Sequence, residues 1–334
     1  MEGNPVLALK FIAVGGSYVK KVTYPNQPGK RGLCQRIWDA RMVYLFLLPG
    51  ILYLTIFRYI PISSLTLAFR NYNAKFGVWG SPWVGLENFQ RLFITPRAIT
   101  SILNTLCISF GRILFEFPIP ILVAILFNEM PGKRVKKLYQ TAVTFPHFLS
   151  WIVVATILQD FFGTYGVVNY VLKSLGFENV NFLTNKSTFR MFVYFSANWK
   201  EMGWSSIIFI ASLAGINNDL YEAASIDGAS RLRRIWHVTL PGLRPTIVTM
   251  LILQIGNSMN GGFEQIFSLR NPVVTNVVDI IDTYVYDITF KATPNYGFST
   301  AVGLFKSAVN CILLCVANYG TKVLFGQGMF GEKR

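Results

Sequence analysis

NNDLYEAASIDGASRLRRIWHVTLPGLRPT, residues 217–246, is a polar and basic island between two long apolar blocks. Asn217, Asn218 and Asp219 are good helix N-caps, because their side-chain oxygens accept from the unpaired first N–H groups of a helix. Glu222 follows Asp219 by three residues, the spacing of a capping box. Leu220, Ala223 and Ala224 make a short face of small residues, and Gly228 permits a tight turn. A second basic helical stretch, Arg231 to His237, leads to Pro241, which opens the next apolar block. The stretch therefore predicts a short helix-turn-helix whose Ala-Ala surface can pack closely into a groove on a partner.

The apolar blocks around it set the fold class. Of 334 residues, 52% are hydrophobic, 15% aromatic and only 14% charged. A soluble chain of this length carries roughly a quarter charged residues and divides into about two domains. A bilayer core takes ~20 mostly apolar residues per helix. By that measure spans stand at about 42–69, 99–127, 139–161, 191–213, 245–263 and 298–321. The expectation is an all-α membrane protein: a tail at 1–41, a six-helix transmembrane domain at 42–321 and a tail at 322–334. Its substrate and membrane lipid are the surroundings such a domain implies.

The net charge of +15 could suggest a nucleic-acid partner. Its distribution argues otherwise. Segments 1–41, 128–138, 214–244 and 322–334 hold 18 Lys and Arg, against 9 in segments 70–98, 162–190 and 264–297. The two sets are of similar length, so the bias is topological, and the positive-inside rule places both termini and residues 217–241 in the cytoplasm. No nucleic-acid partner is expected.

Local signals refine the spans. Pro49 and Pro61 bend the first, Pro118 and Pro120 break the second, and Pro146 stands near the start of the third. Trp79, Trp83 and Phe89 suit an interfacial stretch in the outer segment 70–98. Residues 162–190 read as a short helix and a turn, and 264–297 as either an external helix or an extended segment. The apolar run Val6–Val14 is interrupted by Lys10 and lacks a cleavage pattern, so a retained, loosely ordered tail is expected up to Leu33. Cys34, Cys107, Cys311 and Cys315 give no disulfide framework; the last two share a helix face and read as buried thiols.

Glu222-Ala223-Ala224, three residues, Gly228, nine residues, then Val238, Thr239, Leu240 and Pro241 resemble the EAA loop of ABC importer permeases. The departure is Val238, where that family has isoleucine. The resemblance implies the six-helix fold of these permeases, with a cytoplasmic coupling helix seated in a cleft of an ATPase. Glu222 would make the polar contact, Ala223 and Ala224 the close packing, Gly228 the turn, and Leu240 and Pro241 the entry into the next span. It also implies the partners: a second permease subunit (a different chain in most sugar systems), two cytoplasmic ATPase subunits and an extracytoplasmic solute-binding protein. The location implied is the bacterial inner membrane. The stretches FEQIFSLRNPVVTNVVDIIDTYVYD and NYGFSTAVGLFKS resemble the sugar permeases that import complex oligosaccharides, for which alginate or a related acidic oligosaccharide is the expected substrate.

ATP chemistry is expected elsewhere. The chain has no G-x-x-x-x-G-K-S/T phosphate loop, since Gly29-Lys30 and Gly132-Lys133 are each followed by Arg. No cofactor is expected here, ATP and Mg being bound by the partner ATPases. Gly326-Gln-Gly328-Met-Phe-Gly331 matches a nucleotide pattern but follows a membrane span rather than a strand, and reads as a tail. His147 and His237 stand far apart without a hydrolase motif, so neither a catalytic residue nor a metal site is expected. Importers of amino acids, polyamines or phosphate share the EAA loop and form the alternative.

Ionisable residues inside spans are candidates for function. Arg112 and Glu116 are spaced to neutralise each other on one helix face. Lys200 and Glu201 are adjacent and expected to point apart, and Arg58 and Lys306 are placed to snorkel. A sugar path needs hydrogen-bonding groups and aromatic faces. Asn198, Trp199, Glu201 and Trp204 before the loop, with Gln254, Asn257, Ser258 and Asn260 after it, supply them. In sugar importers of the family, the helices flanking the coupling loop form much of the substrate pocket.

Overall fold

A computed structural model describes residues 10–14, 17–21, 38–260, 262–291 and 294–326. Cys34 and most of the Gly326–Gly331 pattern lie outside the described residues. The chain divides into two compact units, Met1–Ser63 and Ser64–Arg334.

In the first unit, β1 (Lys10–Val14) pairs antiparallel with β2 (Ser17–Lys21), Val14 opposite Ser17. A loosely ordered tail was expected here. The β-branched and aromatic residues of the two segments favour pairing, and the Gly15-Gly16 pair between them in sequence is of the kind two-residue hairpins use. Helix α1 (Arg41–Leu54) follows and passes into a π-helical turn at Thr55–Tyr59, just ahead of Pro61. A wide turn there removes the clash between a proline ring and the preceding turn of helix.

The second unit is helical: α2 (Glu87–Ile94), α3 (Pro96–Phe115), α4 (Pro118–Glu129), α5 (Lys133–Thr144), α6 (Trp151–Phe162), α7 (Val167–Ser174), α8 (Phe189–Ala214), α9 (Asn218–Ile226), α10 (Leu240–Asn257), α11 (Phe263–Leu269), α12 (Thr275–Val278), α13 (Ile281–Tyr286) and α14 (Tyr296–Phe325). Its core has three parts. Ile108 of α3, Val154 and Leu158 of α6, Phe189 and Val193 of α8 and Ile266 of α11 pack together. Leu92, Met259, Ile281, Phe298 and Val302 form a second cluster. Ala124, Ile125, Phe209, Leu213 and Leu243 join α4, α8 and α10. Large apolar side chains on the outer faces of these helices, among them Phe110, Leu126, Ile152 and Ile312, are exposed, as a hydrocarbon solvent requires.

Among the described residues, five segments are long and apolar enough to cross a membrane: Arg41–Phe69, Pro96–Glu129, Trp151–Ser174, Arg231–Gly256 and Tyr296–Val323. The block expected as the fourth span is α8, 26 residues long, which carries Arg190, Lys200 and Glu201. The expected third span is two helices rather than one. α5 ends in a 3-10 turn at Phe145–Phe148, and Ser150 caps α6 by accepting from Val153 N–H at 3.3 Å. The break expected at Pro118 is present between α3 and α4. Residues 264–291 are mostly helical rather than extended.

Helix breaks leave carbonyls without helical partners, and in hydrocarbon these must be satisfied within the protein. α8 does this twice. Asn198 Nδ2 donates to Phe115 O at 3.2 Å, and Lys200 Nζ donates to His147 O at 2.7 Å. Lys200 also meets Glu201 Oε1 at 3.0 Å, so the two adjacent charges converge rather than point apart. At the end of α10, Asn310 Nδ2 donates to Gly256 O and Ser109 Oγ to Ser258 O, both at 2.6 Å. Lys306 pairs with Asp282 instead of snorkelling. Cys107, Cys311 and Cys315 are exposed on the chain rather than buried.

α8 and α5 approach so closely at Gly203 that a Cβ there would strike the backbone of Val143 and Thr144. Gly203→Ala should therefore part the helices and cost about 1–3 kcal/mol. A thermal unfolding midpoint in detergent equal to that of the wild type would exclude this close approach.

Candidate functional site

The island at 217–246 has the shape its residues predict, with one change at its start. Asn217 is the N-cap of α9, its Oδ1 accepting from Asp219 N–H at 3.0 Å. Asp219 sits in the first turn, so Asp219 and Glu222 do not form the expected box, and the Glu222 side chain stands exposed. The helix closes in a Schellman arrangement. Ala229 N–H donates to Ala224 O at 2.9 Å and Gly228 N–H to Ser225 O at 3.1 Å, with Gly228 at φ +73°. That left-handed conformation suits glycine, which has no Cβ to crowd the carbonyl.

Two side-chain bonds hold α9 to the helix that follows. Tyr221 Oη and Thr239 Oγ1 are 3.1 Å apart, and Arg234 Nη1 donates to Ser225 Oγ at 2.9 Å. From Arg231 the chain runs through a π-helical turn, Ile235–Thr239, into α10. Pro241 thus lies just inside α10, after a wide turn like that preceding Pro61. Ala223 is exposed and Ala224 partly so, Leu240 is half-buried and Pro241 exposed. Glu222, Ala223 and Gly228 are all exposed on the segment that connects α8 to α10.

The other candidate residues divide. A cavity of about 270 Å³ lies between α3, α4, α8 and α10, lined among others by Asn198, Glu201, Gln254 and Asn257. Five of the eight residues expected along a sugar path are thus brought together, Ser258 being the fifth. Trp199 packs against the apolar core instead. Trp204 is stacked on His147, ring centroids 4.4 Å apart and planes at 1°, and Asn260 is exposed in the 3-10 turn Ser258–Asn260. Neither lines the cavity. On α8 the cavity face takes Ala197, Asn198, Glu201, Met202 and Ser205, a stripe set by the 3.6-residue helical period, and Trp199 falls outside it.

Arg112, Glu116 and Ser109 also line the cavity. Arg112 Nε and Glu116 Oε1 are 3.7 Å apart, an ion pair without a hydrogen bond. Arg112 Nη2 donates to Gln265 Oε1, and the fully buried Gln265 donates from Nε2 to Val193 O at 2.7 Å and Ser196 Oγ at 2.9 Å. Glu201 is held by Lys200 on one oxygen and by His147 Nδ1, 2.7 Å away, on the other. Sequence reading missed Gln265 and His147. No local pattern marks a glutamine in an apolar turn as the support of an arginine 153 positions earlier.

A third constellation joins the start of α3 to residues 270–291. Asp279 and Asp287 receive Arg97 and Arg270, and Lys291 meets Asp287 at 3.2 Å. Burial alone would raise the Asp287 carboxyl, but hydrogen bonds from Arg270, Arg97 and Lys291 outweigh it and hold the group at about 2.

Residues 117–320 match the family described as the binding-protein-dependent transport system inner membrane component. The chain belongs to this family. The LplB protein of Bacillus subtilis strain 168 is 43% identical over 87% of this chain and 91% of its own length. The polygalacturonan/rhamnogalacturonan transport system permease YteP of the same organism is 39% identical over 93% and 97%. A chain in the crystal structure of a bacterial alginate ABC transporter, in complex with an alginate pentasaccharide-bound periplasmic protein, superposes with a TM-score of 0.82. It shares 36% identity, covering 89% of this chain and 99% of that one. The family model spans both α8 and α10, the helices that join the exposed loop to the cavity. The relatives are transport permeases rather than enzymes.

Proposed function

We propose that this chain is one permease subunit of an ABC importer that carries acidic oligosaccharides across the inner membrane by alternating access. The observation that carries the reading is continuity. The exposed loop with Glu222, Ala223 and Ala224 joins α8 to α10, and the same two helices supply Asn198, Glu201, Gln254 and Asn257 to the cavity. A push on the loop is thereby a push on the cavity wall. α8 serves as the sixth span, its charges bonded inside the protein, Lys200 to Glu201 and Arg190 to Val277 O and Asn104 Oδ1. Both termini face the cytoplasm, following the bias of basic residues.

ATP and Mg are bound by two partner ATPases that receive α9 in a cleft, and a second permease subunit closes the cavity. A solute-binding protein delivers sugar from outside, as the complex of the alginate transporter with its periplasmic protein supports. The similarity to alginate and polygalacturonan systems favours polyuronates over the amino acids, polyamines or phosphate of other EAA-loop importers.

The test is ATP hydrolysis and uptake by the reconstituted complex with its binding protein, across alginate oligosaccharides, oligogalacturonates and neutral oligosaccharides. Stimulation by the acidic sugars is expected; stimulation by none of the sugars would exclude the reading. Asn257→Ala should weaken the apparent substrate constant about two- to tenfold, the value of one lost hydrogen bond, without loosening the ATPases. Trp199→Ala, in contrast, should lower thermal stability and leave that constant unchanged.

A further inference from the structure

The cavity holds one guanidinium and two carboxylates, and their bonding differs in a way that bears on the substrate. Glu201 has both oxygens engaged, by Lys200 and His147. Glu116 and Arg112 do not complete their pair. Arg112 Nε and Glu116 Oε1 are both buried, both without a hydrogen-bond partner, and 3.7 Å from each other. The guanidinium is nevertheless held in place. Gln265, anchored on Val193 O and Ser196 Oγ, fixes Nη2, and the plane of the group lies against Gly262, where a Cβ would overlap it. Gly262 adopts φ +98°, so the position resists a side chain on conformational grounds as well.

A positioned guanidinium with unfilled donors is a receptor for a planar carboxylate, which it can grip through two parallel bonds. The geometry points to Arg112 as the residue that selects a uronate carboxylate, with Glu116 as a resident carboxylate that competes for it. Glu116, 3.7 Å from Arg112 Nε, neutralises it loosely. An entering uronate makes the hydrogen bonds that Glu116 does not, and Glu116 returns to the arginine as the sugar leaves. The exchange keeps Arg112 from ever being an unpaired buried charge, and it keeps the sugar from binding too tightly to be released. Gln265 acts as a positioning residue. The inference rests on the acidic-oligosaccharide reading above.

The experiment uses the reconstituted complex with its binding protein and two probes: oligogalacturonate, and the same oligosaccharide with its carboxyls reduced to primary alcohols. The apparent constant for stimulated ATP hydrolysis is measured for each. The binding protein is the same in every arm, so a change in the ratio of the two constants belongs to the permease. Arg112→Gln should raise the constant for the acidic probe about tenfold or more, and Arg112→Lys should fall between, keeping charge without the fork. Glu116→Gln should lower the constant for the acidic probe and slow turnover, because the competitor is gone. The constant for the reduced probe should move less than that for the acidic probe in both variants, so the ratio of the two carries the result. Wild-type ratios in Arg112→Gln and Glu116→Gln would overturn the inference while leaving the acidic-sugar reading intact. A wild-type complex that ignores the acidic probe would overturn that reading itself. If Arg112→Gln fails to assemble, the isosteric Glu116→Gln decides: a lowered acidic constant supports the exchange, and an unchanged one ends it.

Discussion

Glu222→Ala should leave the chain inserted and folded while removing most substrate-stimulated ATP hydrolysis from the assembled complex. The side chain is exposed, is not used to cap its own helix, and sits on α9 between the Asn217 cap and the Gly228 turn. Truncating it therefore removes nothing the fold depends on, and surface changes of this kind alter stability by about 0.5 kcal/mol or less. At an interface the consequence is different. Losing one partner of a buried, hydrogen-bonded charged contact costs about 2–5 kcal/mol, which is ~30-fold or more in affinity. ATPase subunits should be lost from the purified complex on dilution, and transport should fall with them. The control is a thermal unfolding midpoint of the permease unchanged from wild type. Full transport and full ATPase retention in Glu222→Ala would remove the coupling role from this residue.

The loop was legible because its signals are local. An N-capping asparagine and a glycine with a left-handed φ each act within a few residues, and both stand as their types predict, with Asn217 the cap among the three candidates and no Asp219–Glu222 box. Apolar length is read as directly, and the expected blocks 42–69, 99–127 and 298–321 coincide closely with apolar helical segments of the structure. The interiors of the spans were less legible. Pro146 predicted a disturbance but not two separate helices, because the break needs Ser150 to restart α6 and Lys200, from another helix, to take the freed carbonyl of His147. Lys200 and Glu201 were expected to diverge by their adjacency, whereas both bend toward the His147 turn. The sugar-path residues were chosen by helix, and helix alone does not say which face. Asn198 and Glu201 turn inward; Trp199 between them turns into the core.

The network of Arg97, Arg270, Asp279 and Asp287 carries the remaining large effect, and none of it was visible in sequence, because its members come from positions as far apart as Arg97 and Asp287. Asp279→Ala should destabilise the protein by about 3–5 kcal/mol, the cost of breaking a buried ion pair from one side. Asp279 is only 2% exposed and accepts from Arg97 Nε at 2.9 Å, Arg270 Nη1 at 3.1 Å and Thr283 Oγ1 at 2.7 Å. Its removal leaves Arg270, itself buried, with Asp287 as its remaining carboxylate partner. Asp279→Asn keeps an acceptor and should lose less. Acid should act on the same network through Asp287, whose carboxyl is held at about 2 against an ordinary 3.8. A depressed carboxyl contributes stability above its unfolded value and loses it as pH falls through its folded one. The unfolding midpoint in detergent should therefore lose the Asp287 contribution between about pH 4 and 2 rather than near neutrality. Asp287→Asn should start lower and show a smaller fall across that window. An acid fall of equal size in Asp287→Asn would show that other carboxylates govern the acid limit, and a midpoint for Asp279→Ala within a degree of wild type would show that the network does not hold the outer helices together.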